Sequence, residues 1–336
     1  MFSDLAEARD TLSQLFDPSV LDLVLAALVP ALALQPIAEP AGQALTRIGG
    51  TPVMAADIPW PDPATPSDPA TFQKFGDTFA DHARANYPLS FIGQIDLAEL
   101  AELDGRPDDL PTQGRLLFFH DLMLGPFEAG DRLTKVIWDQ SPPADTITHP
   151  LPAALEQAST TYAAAIEASF KEAGLDVTEA ELRSPFSAPL RAAEPRLVQQ
   201  LTPLYALEFE RNTELHHRAF KAKDYDFSDA YADAIWEGRE DRSPLTLLGL
   251  PIPEQDDPRY DAVAITQFGK QILAKEDWDA HRDTILTQAK DWRLLLQVDV
   301  ASWMQSPGEG LVYFLITADD LKSARFDRVI AIYQQT

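Results

Sequence analysis

The stretch SFIGQID at residues 90–96 decides the fold, because it reads as a buried strand that ends in a Gln-x-Asp motif. It is followed by GRLLFF at 114–119, a second apolar and aromatic strand that is entered through a glycine. The same design returns about 200 residues later as LLLQVD at 294–299 and GLVYFL at 310–315. Each block is preceded by a Gly-x-Pro turn, at residues 50–52 and 249–251.

Matched features that recur in the same order predict an internal duplication. The two repeats span about 46–140 and about 245–336, and a mainly helical connection joins them at about 150–240. A pseudo-twofold, two-lobed body rich in β-structure is the natural architecture for such a chain. A cleft between the two lobes is then the expected binding site.

Residues 1–45 predict a helical hairpin that packs on the main body. Apolar residues at helical spacing indicate a first helix over residues 3–16, and a Pro-containing turn follows it. A second helix is predicted from about Val20 to Leu34, bent or ended near Pro30.

The charge balance is the strongest compositional signal, since 27 Lys+Arg face 53 Asp+Glu and give a formal net charge of −26. Such a chain repels phosphate backbones and anionic bilayers, which excludes nucleic acid and membrane surfaces as expected partners. Two explanations stay open: an acidic surface that serves solubility, or one that meets a basic protein partner. The apolar run at 20–38 contains Asp22, Pro30 and Pro36, so neither a signal peptide nor a spanning helix is predicted and a cytoplasmic location is expected.

The Gln-x-Asp motifs supply the best polar candidates for a ligand site: Gln94, Asp96, Gln297 and Asp299. Paired carboxylates on one face of a cleft can bind a ligand or exchange protons, although the same side chains at strand ends often bond to the backbone instead. Trp60 is a further candidate, either as a stacking platform for a ligand or as a core residue.

No catalytic residue can be assigned, since the chain has no cysteine, no Gly-rich phosphate loop, no Gly-x-Ser-x-Gly elbow and no His-Glu-x-x-His motif. We therefore expect no metal site and no cofactor, and an enzyme is the weaker hypothesis.

The motifs quoted above, with Gly49-Gly50-Thr51-Pro52, Trp60-Pro61 and LLGLP at 247–251 followed by Gln255, resemble the YwqG-like family, a bacterial domain family of unknown function. The resemblance covers about residues 47–333, and it makes Gln255 another ligand-binding candidate. It implies an α+β fold with a mainly antiparallel, roll-like β core and brings no established activity. Some relatives look like members of bacterial toxin–immunity neighbourhoods.

These observations together predict a cytoplasmic, acidic protein-interaction module, immunity-like or regulatory, that binds a basic protein. The alternative is a small-ligand or metal-binding protein, or an enzyme, that uses the cleft between the repeats. The sequence does not predict the oligomeric state.

Overall fold

The computed structural model describes residues 1–38, 45–106, 108–222, 224–236, 245–270, 273–306 and 308–335. Its strands are β1 (Leu28–Pro36), β2 (Arg47–Ile48), β3 (Val53–Ala55), β4 (Ser90–Asp96), β5 (Arg115–His120), β6 (Thr134–Asp139), β7 (Thr146–Thr148), β8 (Arg191–Leu201), β9 (Thr246–Leu247), β10 (Trp292–Asp299), β11 (Leu311–Thr317) and β12 (Ile330–Gln334). Most of them form one antiparallel sheet in the order β12-β11-β10-β9-β1-β8-β2-β4-β5-β6, while β3 and β7 pair separately.

The α-helices surround this sheet. They are α1 (Leu5–Leu12), α2 (Pro18–Leu25), α3 (Pro69–Phe72), α4 (Asp77–Ala85), α5 (Leu97–Ala101), α6 (Ala153–Ala173), α7 (Leu207–Arg211), α8 (Thr213–His216), α9 (Tyr225–Trp236), α10 (Pro258–Phe268), α11 (Lys275–Gln288), α12 (Val300–Met304) and α13 (Ala318–Lys322). A π-helical turn, His217–Lys221, follows α8. The predicted α+β class, the antiparallel sheet and the N-terminal helical hairpin of α1 and α2 are confirmed.

The sheet curls until its two ends meet. Gly130, which lies just ahead of β6, exchanges two backbone hydrogen bonds with Ala331 of β12, at 2.8 and 2.9 Å. Trp138 of β6 also contacts Phe326 edge-on, with ring centroids 5.8 Å apart. The two edge strands of the sheet therefore face each other across a seam.

Alternation along the strands separates an inner from an outer apolar face. Phe118 and Phe314 lie 5.1 Å apart inside the curl, in the largest apolar cluster. Their neighbours Phe119 and Tyr313 point outward, where residues near β3 cover the first and α10 and α11 cover the second. Another outer cluster combines the N-terminal hairpin with residues of α7 to α9.

The second N-terminal helix is shorter than predicted, because α2 ends at Leu25 and residues 28–36 form the strand β1. This strand pairs with β8 along its whole length and with β9 at Leu32 and Ala33. Pro30 lies outside the two residues that pair with β9, so its missing N–H leaves no gap in that ladder. The apolar Leu/Ala run has a helical composition, and pairing on both sides overrides it.

The connection predicted as mainly helical carries, besides α6 to α9, the eleven-residue strand β8 in the middle of the sheet. Residues 39–44 of the predicted hairpin segment and 237–240 of the predicted connection lie outside the described residues. The division of the chain at residue 45 stays a prediction.

A substitution at Gly114 tests the close packing of the turn before β5 against β6. Its φ is +84°, and a Cβ there would lie 2.6 Å from the carbonyl oxygen of Asp139 and 2.9 Å from Trp138 Nε1. We expect Gly114→Ala to lower the free energy of unfolding by about 2–4 kcal/mol, through strain and displacement of β6.

Gly174, at the C-terminus of α6, is the matched control, since its φ is +70° but nothing lies within 4 Å of an added Cβ. Gly174→Ala should cost only about 1 kcal/mol in urea denaturation. Equal losses for the two variants would show that the close approach at Gly114 has no energetic role.

Candidate functional site

Gln94 and Gln297 each lie third from the end of their strand, β4 and β10, and make similar contacts. The Gln94 Oε1 accepts a hydrogen bond from the Val53 N–H at 2.9 Å, and its Nε2 donates to the Leu45 carbonyl at 2.8 Å. The Gln297 Oε1 accepts from the Ile252 N–H at 3.0 Å, and its Nε2 donates to the Thr246 Oγ1 at 3.3 Å. Both side chains are fully buried. They hold the residue that follows each Gly-x-Pro turn.

Asp96 and Asp299 cap the short helices that follow their strands. The Asp96 Oδ1 accepts from the backbone N–H groups of Ala98 and Glu99 at 2.9 and 3.1 Å. The Asp299 Oδ1 accepts from the Ser302 N–H at 2.6 Å. These bonds satisfy donors at the first turns of α5 and α12, the usual work of an N-cap aspartate.

Trp60 and Gln255 lie in different surroundings. The Trp60 indole N–H donates to the Leu89 carbonyl at 2.8 Å, and its ring contacts Phe119 edge-on at 5.6 Å. Gln255 is exposed, and its side-chain amide donates to the Gln335 carbonyl. Within the described residues, the six candidates do not converge on one site.

A cleft of about 1220 Å³ opens beside the seam, next to the Gly130–Ala331 pair. We call it the seam cleft. Gln255, one of the six predicted candidates, is among the described residues that line the seam cleft. The first half of the chain contributes Thr71, Lys74, Phe75 and residues 125–129 to its lining. The second half contributes Gln255, Asp256, Tyr260, Asp261, Ala264, Lys270, Leu273, Lys275 and Trp278. The last part, residues 332–335, comes from β12 and the residue after it.

Asp261 is a carboxyl of the seam cleft with a raised pKa. It lies in the first turn of α10, half-buried, and accepts a long hydrogen bond of 3.4 Å from Gln334 Nε2. Burial, together with the nearby carboxylates of Asp256 and Asp257, raises the pKa of Asp261 to about 6, against the opposing effect of the Gln334 bond. Within the described residues no Lys, Arg or His forms an ion pair with Asp261.

Two aromatic pairs line the same cleft. Phe75 stacks on Phe127 with centroids 4.1 Å apart, and Tyr260 contacts Trp278 at 5.6 Å. The Tyr260 hydroxyl donates to Glu210 Oε2 at 2.9 Å, which fixes its ring. Phe75 and Trp278 keep part of their rings exposed and can offer a face to a cation, whereas the Tyr260 ring is buried.

Three of the chain's nine lysines also line the cleft, and each already has a partner. Lys270 pairs with Asp277 and Lys275 with Asp279. The Lys74 ammonium lies 4.7 Å from the centroid of the Phe75 ring. None of these three ion-pair or ring contacts involves Asp261.

The sequence-based prediction missed Asp261, Tyr260 and Trp278. An acidic residue three positions after Pro258 reads as ordinary first-turn charge of a helix. Only the closure of the curled sheet brings α10 next to residues 125–129, and no local pattern records that closure.

The sequence profile of a domain of unknown function, DUF1963, matches residues 46–334. The chain belongs to the DUF1963 family. No curated protein matches the chain. In the described part of this DUF1963 protein, every helix is too short or too polar to cross a bilayer.

The buried side-chain amides of Gln94 and Gln297 in the DUF1963 domain can be tested by substitution. We expect Gln94→Leu and Gln297→Leu each to lower the free energy of unfolding by about 2–3 kcal/mol, because each leaves a buried backbone N–H without an acceptor. Gln255→Leu, at an exposed position, should change it by less than about 0.5 kcal/mol. Urea denaturation measures all three, and a Gln94→Leu variant as stable as Gln255→Leu would contradict the assignment.

The raised pKa of Asp261 predicts a pH-dependent stability cost. Its carboxyl binds a proton more readily in the folded chain, at about 6, than in the unfolded chain, near 3.8. The folded state therefore loses stability as the pH rises through about 6, by up to about 3 kcal/mol. Asp261→Asn keeps an acceptor for Gln334 and removes this cost.

We expect the Asp261→Asn variant of the DUF1963 protein to melt higher than wild type above about pH 6, with the difference vanishing below the unfolded pKa of 3.8. Thermal melting across this range measures the effect. A constant difference at every pH would show that Asp261 does not titrate with a raised pKa.

Proposed function

We propose that this protein is an interaction module that captures a basic side chain of a protein partner in the seam cleft. The observation that carries the proposal is Asp261, a half-buried carboxylate that lines the cleft and forms no ion pair with the described residues. A guanidinium or ammonium group placed beside it would supply the missing counter-charge and a hydrogen-bond donor.

The stability cost of Asp261 supports a binding role. An asparagine would accept the same hydrogen bond from Gln334 without burying a charge next to Asp256 and Asp257. Groups that lower the stability of the free protein are typical of binding sites, where a bound partner supplies the compensating interaction.

The aromatic pairs and the size of the cleft support a partner segment over a small molecule. Trp278 keeps part of its ring exposed in the cleft that Asp261 lines and can stack on a cation, and the buried ring of Tyr260 packs against it. A volume of about 1220 Å³ exceeds the range of about 300–1,000 Å³ that is usual for small-ligand pockets. The net charge of −26 would steer a basic partner toward the protein over a long range.

The finer predictions belong to the same proposal. A basic protein as partner, an immunity-like or regulatory role and a cytoplasmic location are consistent with it. The alternative use of Gln94, Asp96, Gln297 and Asp299 in ligand binding or catalysis has less support, since each already bonds to the turns or helices around it.

We also infer that the two halves arose by duplication. Equivalent strands lie in mirrored order on either side of the β1–β8 pair. The paired bonds of Gln94 and Gln297, and the paired caps of Asp96 and Asp299, support this inference. In this arrangement β1 joins the second half beside β9, and β8 joins the first half beside β2.

Binding of a short oligo-arginine peptide, followed by fluorescence anisotropy, tests the proposal. We expect Asp261→Asn to weaken binding about tenfold, because it removes a charge-assisted contact in a cleft that is partly shielded from water. Wild-type affinity should also fall as the pH drops below about 6, where Asp261 gains a proton.

Asp10→Asn is the matched control, since it removes the same charge from an exposed position in α1. An oligo-glutamate peptide controls for peptide length. Equal weakening by Asp10→Asn and Asp261→Asn would show that the peptide senses only the net charge, and the assignment to the seam cleft would then be wrong.

A further inference from the structure

Residues 205–225, which connect β8 to α9, expose three aromatic side chains. The exposed fractions are 47% for Tyr205, 36% for Phe220 and 70% for Tyr225. The Phe220 ring contacts the Tyr205 ring at 5.4 Å and the His216 ring at 5.2 Å, and it leans on the buried Phe209 at 5.9 Å. We call Tyr205, His216 and Phe220 the aromatic patch.

The backbone that holds the aromatic patch is irregular in two places. Tyr205 has a φ of +65°, a left-handed conformation that costs a residue with a Cβ about 1–2 kcal/mol. Phe220 lies in the π-helical turn His217–Lys221, a rare form that is frequent at functional sites. Both features hold rings at the surface, so burial in this chain does not repay their cost.

The charge of this segment differs from that of the whole chain. Residues 205–225 contain four acidic and four basic side chains, whereas the chain as a whole carries −26. The acidic residues are Glu208, Glu210, Glu214 and Asp224, and the basic ones are Arg211, Arg218, Lys221 and Lys223. Arg218 and Asp224 form an ion pair at 3.6 Å.

We propose that a second copy of this chain docks on the aromatic patch through a twofold contact. A twofold contact brings the same surface of both molecules together, so the surface has to be complementary to itself. A segment with equal numbers of both charges meets this condition, whereas strongly acidic surfaces repel each other. Exposed aromatic rings supply the apolar centre that such interfaces bury. This inference is independent of the proposed basic partner.

The salt dependence distinguishes this contact from the capture of a basic side chain. Two molecules of charge −26 repel each other at long range, and salt screens that repulsion. Self-association through the aromatic patch therefore strengthens as salt is raised. Binding of a basic peptide to the seam cleft weakens over the same range.

Sedimentation equilibrium of the full chain at about 50 mM and about 500 mM salt tests the proposal, since the Debye length shrinks severalfold over this range. We expect a monomer–dimer equilibrium that tightens with salt. Tyr205→Asn should weaken the dimer about tenfold or more by removing a central ring. The same change should leave the melting temperature equal or higher, because asparagine tolerates the left-handed conformation.

Tyr225→Ser removes the exposed ring of residues 205–225 that lies outside the aromatic patch, and should weaken the dimer less than Tyr205→Asn does. Leu175→Asn, at a residue 62% exposed after the end of α6, should leave the dimer unchanged. A chain that stays monomeric at high salt and high concentration would overturn the proposal. A dimer that ignores both tyrosine changes, that weakens with salt, or that grows into larger open assemblies would overturn it too.

Discussion

Two buried glutamine amides hold the turns on which the sheet depends. Each amide accepts from the backbone N–H that follows a Gly-x-Pro turn. It also donates to a residue just before or at the start of the short strand that precedes the turn, Leu45 for Gln94 and Thr246 for Gln297. The turn releases the chain from β2 or β9, and the strand that carries the glutamine is the next neighbour, β4 or β10. An unsatisfied N–H at these places would cost more than a single hydrogen bond contributes, because no water reaches it. These bonds hold β4 beside β2 and β10 beside β9, on the two sides of the β1–β8 pair.

The sequence predicted the parts of the fold that local pattern encodes. The strands β4, β5, β10 and β11 are long apolar runs between turns, and they lie where predicted. By contrast, β1 and β8 were not predicted, although they form the centre of the sheet. The Leu/Ala run of β1 has helical propensity, and β8 contains Pro195 and several charged or polar residues. Their strand conformation comes from pairing with each other over nine residues, a contact between segments far apart in sequence.

The difference between local patterns and contacts between distant segments also explains why the sequence did not predict the seam cleft. Polar side chains in apolar strands are readily predicted as ligand-binding candidates. Gln94 and Asp96, however, form hydrogen bonds with backbone N–H groups beside them, which explains why these positions are polar. Asp261, a carboxyl whose pKa burial raises, has no distinctive local signal. Its surroundings arise only when the sheet closes and α10 approaches residues 125–129. Closure of this kind depends on the curvature of the entire sheet, and a short motif carries no information about it.

The net charge acts on both proposed surfaces in opposite directions. It favours binding of a basic partner at the seam cleft and opposes self-association through the aromatic patch. A charge of −26 makes the approach of a basic partner favourable from a distance and the approach of a second copy unfavourable. At the seam cleft, a carboxylate that forms no ion pair within the described residues would add a local attraction for a basic group, of the same sign as the long-range field. At the aromatic patch, the balanced charges of residues 205–225 remove the local repulsion, and ring burial then has to exceed what the rest of the molecule opposes. If both proposals hold, ionic strength selects between a free monomer that binds basic groups and a dimer held by apolar contact.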